Sequence, residues 1–173
     1  TLSSINTKES RQLPGAEFLD IDYGSTNDYG NDLERLSISY TELDDFPNLS
    51  GLEKLDHLYI FRFYNRSDAD NRPALFNGKP RFDRSLETAI SGCTALTFVS
   101  LNQSPVIGDI STAFKTLTSL DYLYIYSTHL YGTIEDDSLP RTLTRLTIQT
   151  NLNPLLSTTV GFNPDALPAI GRI

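Results

Sequence analysis

The side chains that most often carry out chemistry in proteins are few and scattered in this chain. It has two histidines, His57 and His129, and one cysteine, Cys93. The histidines do not lie in a metal-ligand spacing, so each is interpreted as a surface or contact residue. Cys93 lies on an apolar line and has no basic neighbour in the sequence. We therefore expect a buried structural thiol rather than a nucleophile.

The carboxylates occur in short clusters. Asp20 and Asp22 share one side of a strand-like segment, whereas Asp44–Asp45 and the acidic residues 135–137 fall in turn-like segments. Carboxylates in turns can bind calcium, but their spacing here is not that of an EF-hand loop. Solvated acidic turns are the favoured interpretation, and paired carboxylates alone do not indicate hydrolysis.

The patterns typical of catalytic and cofactor sites are absent from the sequence. There is no G-x-S-x-G motif, no phosphate-binding loop and no dinucleotide fingerprint. The net charge of −8 argues against a nucleic-acid partner, which requires a basic face. No apolar run approaches the ~18–20 residues of a membrane-spanning helix. The sequence predicts a non-enzyme with no metal or cofactor, no nucleic-acid partner and no membrane insertion by this chain.

One phrase, L-x-x-(L/V)-x-(L/I), recurs along the chain. Its clearest copies are LTFVSL at 96–101, LDYLYI at 120–125 and LTRLTI at 143–148. Their first residues are 120 − 96 = 24 and 143 − 120 = 23 residues apart. A fixed period of this length is typical of a solenoid, in which one small structural unit stacks on the next.

The phrase continues beyond the strand-like part. Val106-x-Gly108-x-Ile110 follows the first copy, and an L-x-G-x-I sequence at 130–134 follows the second at the same offset. The chain therefore resembles the leucine-rich repeat family, closest to its plant-specific class, although Ser111 and Glu135 replace the proline usual there. The resemblance implies an α/β repeat fold, a solenoid with a parallel β-sheet on its concave face. Its convex segments would be short helical, 3-10 or irregular, and the two glycines are expected where the backbone turns.

The repeats divide the chain 1–173 into one domain of about five to seven turns. Residues 1–32 are interpreted as an N-terminal cap or truncated repeat, with echoes of the strand phrase at 16–21 and, earlier, at 2–7. Residues 33–151 carry the repeats, and 152–173, where the period is lost, form a C-terminal cap. The copies at Leu55 and Leu96 are 96 − 55 = 41 residues apart, so a loop is predicted to be inserted near 62–84.

Alternation along each strand predicts the orientation of its side chains. Leu123 and Ile125 face inward, and Tyr122, Tyr124 and Tyr126 face outward onto the concave side. Exposed aromatic and arginine side chains often anchor recognition surfaces. The predicted ligand-binding residues on this concave face are Tyr40, His57, Tyr59, Phe61, Arg62, Phe98, Tyr122, Tyr124, Tyr126 and Arg145.

The predicted function is non-catalytic recognition of a protein or peptide on the concave face, and self-association is left open. One alternative is a structural or adhesive solenoid at a cell surface or in a filament. The other is a substrate-recognition fragment of a larger effector or receptor, because residues 138–148 resemble one L-P-x-x-L-x-x-L-x-(I/V) repeat of bacterial effectors. The sequons at Asn48 and Asn65 are candidate glycosylation sites and favour an extracellular or cell-surface location, with an intracellular one left open.

Overall fold

The computed structural model describes residues 33–39, 45–61, 83–104, 106–135 and 137–148 with their side chains. For residues 4–6, 42–43, 64–65, 149 and 156–158 it describes the backbone. Within these residues there are two four-residue helices, α1 (Leu86–Ala89) and α2 (Ile110–Ala113). In chain order the strands are β1 (Ser4–Asn6), β2 (Arg35–Ser39), β3 (Glu42–Leu43), β4 (His57–Phe61), β5 (Tyr64–Asn65), β6 (Phe98–Asn102), β7 (Ile107–Asp109), β8 (Tyr122–Tyr126), β9 (His129–Ile134), β10 (Arg145–Gln149) and β11 (Leu156–Thr158).

These elements form a parallel-strand solenoid of about four turns with few helices. Its largest sheet has six parallel strands in the order β1-β2-β4-β6-β8-β10. The five to seven turns predicted from the sequence are more than this. The echo at 16–21 and most of 152–173 lie outside the described residues.

The strand register follows the period of the sequence phrase. Phe98 pairs with Tyr122 and Tyr122 pairs with Arg145, which reproduces the spacings of 24 and 23. His57 pairs directly with Phe98, 98 − 57 = 41 residues further on. The main sheet therefore continues from β4 to β6 without a strand from the long intervening segment, as the repeat arithmetic predicts.

The core lies directly behind the six-stranded sheet. In each strand the second and fourth residues face it, and their apolar side chains pack on the equivalent residues of the next turn. Leu36, Ile38, Leu58, Ile60, Val99, Leu101, Leu123 and Ile125 are all at most 1% exposed. Leu146 and Ile148 in β10 are partly buried against this core. The predicted inward positions are confirmed.

A second set of strands lies beyond the main sheet and was not anticipated from the sequence. β3 pairs with β5, and β7, β9 and β11 form a three-stranded sheet with β9 in the middle. Gly108 and Gly132 lie inside β7 and β9, so the prediction that they serve turns is wrong. A Cβ on Gly108 would meet Leu86 and Glu87, and one on Gly132 would meet the Asp109 carboxylate. The glycines permit this close approach between neighbouring turns.

The far side of the core is built from short helices and turns. The spacing of Leu86, Ile90 and Cys93 predicts a short convex helix, and α1 lies at this place. In α2 the Asp109 carboxylate caps the helix by accepting a hydrogen bond from the Ser111 amide at 2.9 Å. The remaining described segments of this side are turns, as in residues 49–56.

Two segments that were predicted to lie outside the regular repeats, 62–84 and 152–173, contain paired strands. β5 lies within the proposed insertion 62–84, so part of that stretch belongs to the two-stranded sheet that β5 forms with β3. β11 lies within the proposed C-terminal cap 152–173 and pairs with β9. At the other end, the strand beside β2 is β1, at the earlier echo of the phrase.

Candidate binding face

The outward residues of the main sheet form a surface that we call the strand face. Because the strands are parallel and in register, these residues lie in three rows that run across the sheet. The first row is Arg35, His57, Phe98, Tyr122 and Arg145. The middle row is Ser37, Tyr59, Ser100, Tyr124 and Thr147. The last row is Ser39, Phe61, Asn102 and Tyr126, and the backbone of Gln149 pairs with Tyr126 at its end.

The first row contains a continuous stack of three rings. The His57 and Phe98 ring centroids are 5.5 Å apart with an interplanar angle of 17°. Those of Phe98 and Tyr122 are 4.7 Å apart at 5°. These separations are those of favourable aromatic pairs, so the three side chains hold one another in place. His57 is further oriented by Asp56, whose Oδ1 lies 2.7 Å from the His57 Nδ1.

Other ring pairs run along the strands rather than across them. Tyr59 and Phe61 in β4 have centroids 6.3 Å apart, and so do Tyr124 and Tyr126 in β8. All four side chains are partly exposed. Burial raises the pKa of Tyr124 above its ordinary value, and the neighbouring phenols of Tyr126, Tyr122 and Tyr59 raise it further. The four tyrosines therefore lie within electrostatic reach of one another.

The middle row alternates small and large side chains. Tyr59 lies between Ser37 and Ser100, and Tyr124 lies between Ser100 and Thr147. Ser100 is only 5% exposed, at the centre of the strand face. In the last row, between Phe61 and Tyr126, the Oδ1 atom of Asn102 is buried and accepts no hydrogen bond. The larger side chains around Ser100 thus cover the centre of the strand face, with an unpaired acceptor beside it.

Charged side chains lie at the margins of the strand face. Asp56 and Asp121 immediately precede β4 and β8, and the Asp121 carboxylate accepts a hydrogen bond from Thr144. The exposed Arg35 and Arg145 lie on β2 and β10, on either side of the three aromatic strands. Within β4, β6 and β8 themselves, His57 is the only basic residue.

Most of the residues predicted from the sequence are brought together on this surface. The strand face unites His57, Tyr59, Phe61, Phe98, Tyr122, Tyr124, Tyr126 and Arg145. Tyr40 and Arg62 lie outside the described residues. Sequence reasoning did not single out Ser100 or Asn102. Each lies between aromatic residues of the strands on either side, and only the strand register shows this.

The reactive-looking residues away from the strand face have structural surroundings. The Cys93 thiol is fully buried and donates a hydrogen bond to the Leu49 carbonyl oxygen at 3.1 Å. Burial raises its pKa to about 11, and the predicted burial of this thiol is confirmed. His129, by contrast, is only 4% exposed in β9. Its prediction as a surface residue is wrong, because it lies in a strand of the three-stranded sheet, which was not foreseen.

The described carboxylates of the predicted acidic turns serve the fold in two different ways. Asp45 Oδ1 accepts backbone hydrogen bonds from Phe46, Asp83 and Arg84, at 2.8, 3.1 and 3.1 Å, and so joins two distant segments. Asp137 is exposed and pairs with Lys115 at 2.8 Å, which lowers the pKa of Asp137. No cluster of metal-binding side chains occurs among the residues whose positions are described.

The two candidate glycosylation sites remain predictions. Asn48 is partly exposed, and its Oδ1 accepts hydrogen bonds from the amide and the hydroxyl of Ser50, at 3.1 and 2.7 Å. The backbone of Asn65 lies in β5. In the described part of the chain, no helix is both long enough and apolar enough to cross a membrane.

Comparison of the chain with protein-family models, with curated proteins and with solved structures finds no match.

Proposed function

We propose that this protein is a non-catalytic binding module that recognises a protein or peptide segment through the strand face. The observation that carries the proposal is the middle row, where Tyr59 and Tyr124 stand partly exposed on either side of Ser100. Partly exposed tyrosines offer a partner a large apolar area together with a polar hydroxyl. The ligand-binding residues are those of the strand face, with Tyr40 and Arg62 as further candidates.

The simpler explanation is that aromatic side chains stabilise their neighbours in a sheet. This explanation accounts for His57, Phe98 and Tyr122, which stack on one another across three strands. It accounts less well for Tyr59 and Tyr124, whose cross-strand neighbours in the middle row are small residues and whose ring contacts, with Phe61 and Tyr126, lie along their own strands. Binding explains why these two side chains are large.

The repeat phrase and its L-x-G-x-I continuation support membership of the leucine-rich repeat family as part of the same proposal. The regular parallel sheet, with one apolar side and one varied side, is consistent with that architecture. The two candidate glycosylation sites support an extracellular or cell-surface location, which is also part of the proposal. These assignments are independent of the binding test below.

Selection from a displayed library of random dodecapeptides tests the proposal. Peptides that bind the native chain are measured by titration against the double variant Tyr59→Ala/Tyr124→Ala. We expect their affinity for the double variant to fall at least tenfold, because two anchors of ~1.5–3 kcal/mol each are removed. Far-UV circular dichroism and thermal unfolding establish that the double variant keeps its fold.

A matched control is available on the second sheet. Tyr131 in β9 is 45% exposed, so Tyr131→Ala removes the same side chain from a different surface. Selected peptides should bind this variant as they bind the native chain. If they bind the folded double variant equally well, recognition through the strand face is wrong, and a structural or adhesive role becomes the better explanation.

A further inference from the structure

The His57 ring, in the first row of the strand face, is held in one position by two separate contacts. It stacks on Phe98, with ring centroids 5.5 Å apart, and its Nδ1 atom lies 2.7 Å from Oδ1 of Asp56. The Asp56 backbone is itself fixed, because its amide donates to the Glu34 carbonyl oxygen at 2.8 Å and its carbonyl oxygen accepts from the Thr97 amide at 2.9 Å. The orientation of the ring is therefore set before a partner binds.

The contact with Asp56 decides which nitrogen of the His57 ring carries the proton. An ionised carboxylate accepts hydrogen bonds and donates none, so Nδ1 must be the N–H donor. In the neutral ring the other nitrogen, Nε2, is then an acceptor. The His57 side chain is 37% exposed, and Nε2 has no hydrogen-bond partner among the described residues. At neutral pH the strand face thus presents an acceptor of fixed orientation.

His57 is the side chain of this neighbourhood that can respond to mild acid. Histidine ordinarily changes charge between pH 5 and 8, whereas carboxyl groups, guanidinium groups and phenols ordinarily titrate outside this range. The chain has one other histidine, His129, which is 4% exposed and lies in a different sheet. β6 has no titratable residue. The other titratable or charged groups around His57 are Asp56 beside it, Glu34 and Arg35 on the β2 side, and Tyr122 beyond Phe98.

We propose that Nε2 of neutral His57 accepts a hydrogen bond from a backbone N–H of an extended partner segment, and that protonation of His57 releases this segment in acid. This inference rests on the proposed binding function and names the partner group and its regulation. An extended segment offers a backbone N–H at every residue other than proline, and these groups require acceptors when they are buried at an interface.

The loss of binding in acid follows from the donors and acceptors on each side. A protonated histidine has an N–H on both ring nitrogens and no acceptor. An amide N–H has no lone pair with which to accept a hydrogen bond, so two donors would face each other without a partner. A hydroxyl group of the partner could reverse its role and accept instead. Recognition of a hydroxyl would therefore survive in acid, whereas recognition of an amide N–H would not.

The experiment uses three dodecapeptides selected on the native chain at pH 7.5 that lose affinity for Tyr59→Ala/Tyr124→Ala. Each is capped at both ends and lacks aspartate, glutamate, histidine and cysteine, so that the peptide itself does not titrate. Fluorescence anisotropy measures their affinity for the native chain at pH 7.5 and 5.0, and circular dichroism establishes that the chain is folded at both. We expect binding to be at least tenfold weaker at pH 5.0.

Two variants test whether this response arises at His57. His57→Gln offers an amide oxygen near the position of Nε2 but cannot be protonated, and His57→Phe keeps a ring beside Phe98 but has no acceptor. We expect affinity at pH 7.5 to fall in the order native chain, His57→Gln, His57→Phe, with neither variant weakened further at pH 5.0. Tyr131→Ala, on β9, is the control and should respond to acid as the native chain does.

A second measurement leaves the chain unchanged and alters the peptide. Its backbone N–H groups are replaced one at a time by N-methyl groups, which removes a single donor from each peptide. We expect one position at which methylation weakens binding at pH 7.5 and abolishes the difference between pH 7.5 and 5.0. This test remains available if a His57 variant does not fold.

The remaining outcomes separate the two proposals. Equal affinity of the native chain at pH 7.5 and 5.0 overturns the assignment of His57, and so does weakening in acid that persists in folded His57→Gln or in every N-methylated peptide. Recognition through the strand face still stands in these cases, because the peptides depend on Tyr59 and Tyr124. If no selected peptide depends on these tyrosines, both proposals fail.

Discussion

On the inward side of β8, Leu123 and Ile125 are fully buried, whereas Tyr122, Tyr124 and Tyr126 on its outward side remain partly exposed. The inward side repeats the same kind of residue in each turn, because every turn must pack on the next. The outward side changes from strand to strand, from three aromatic residues in β8 to one in β6. The fold therefore constrains the residue types on the inward side of each strand and leaves those on the outward side free to vary.

The largest expected effect lies on the inward side. Leu123→Ala should lower the free energy of unfolding by ~2–5 kcal/mol, because it leaves a cavity where a fully buried side chain packs against two neighbouring turns. Urea denaturation of the variant and the native chain measures the loss. Thr147→Ala, on the outward side of β10, is the control and should change stability little. A loss below ~1 kcal/mol for Leu123→Ala would remove the distinction between the two sides.

The exclusion of water from the core can be tested through the pH dependence of stability that Cys93 contributes. Its pKa is raised by burial from the ordinary 9.0 to about 11, so the unfolded chain loses the thiol proton at lower pH than the folded chain. The thiol's contribution to stability is therefore complete below pH 9 and is lost as pH rises through 11, by about 2–3 kcal/mol in all. Denaturation at pH 7.5 and 10.5 should show a steeper decline for the native chain than for Cys93→Ala. Identical declines would mean that water reaches this thiol.

Substitution of Gly132, in the middle strand of the three-stranded sheet, tests the close approach between neighbouring turns. Its φ is 98°, and an added Cβ would meet the Asp109 carboxylate, which also caps α2. We expect Gly132→Ala to lower the free energy of unfolding by about 2–3 kcal/mol. Gly92, with φ of 83° and only ordinary contacts for a Cβ, is the matched control at about 1–2 kcal/mol. Thermal and urea unfolding of both variants measure the difference, and equal losses would contradict the close-approach explanation.

The smallest effect on stability is expected on the outward side. Tyr59→Ala and Tyr124→Ala should each lower the free energy of unfolding by about 1 kcal/mol or less, because their cross-strand neighbours are small. Phe98→Ala interrupts the three-ring stack and should cost about 1–2 kcal/mol more than either. Urea denaturation of the three variants gives the order. If the tyrosine variants lose as much as Phe98→Ala, these tyrosines stabilise the sheet and the argument for binding weakens.

Much of the fold could be predicted from spacing alone. The leucines at 96, 120 and 143 predicted the parallel pairing of β6, β8 and β10, because inward residues must recur once per turn. The two smaller sheets could not be predicted in this way. Their strands β3, β5 and β7 have only two or three residues, so there is no alternation to detect. The same omission led to the wrong interpretations of Gly108, Gly132 and His129.

The candidate binding face was predictable residue by residue but not as an arrangement. Alternation within β4 and β8 predicted that His57, Tyr59, Tyr122 and Tyr124 face outward. It did not predict which of them would be neighbours, because that depends on pairing between strands far apart in the chain. Ser100, for example, lies between Tyr59 and Tyr124, which belong to two other strands.

The sequence by itself determined the repeat length, the apolar side of each strand and the set of side chains left outside. These follow from local alternation and from the requirement that each turn bury its leucines against the next. Only in the tertiary structure does His57 stack on Phe98, 98 − 57 = 41 residues away, and only there do Tyr59 and Tyr124 lie on either side of Ser100. The physical reason is that strand register sets lateral neighbours, and register forms only when the turns stack.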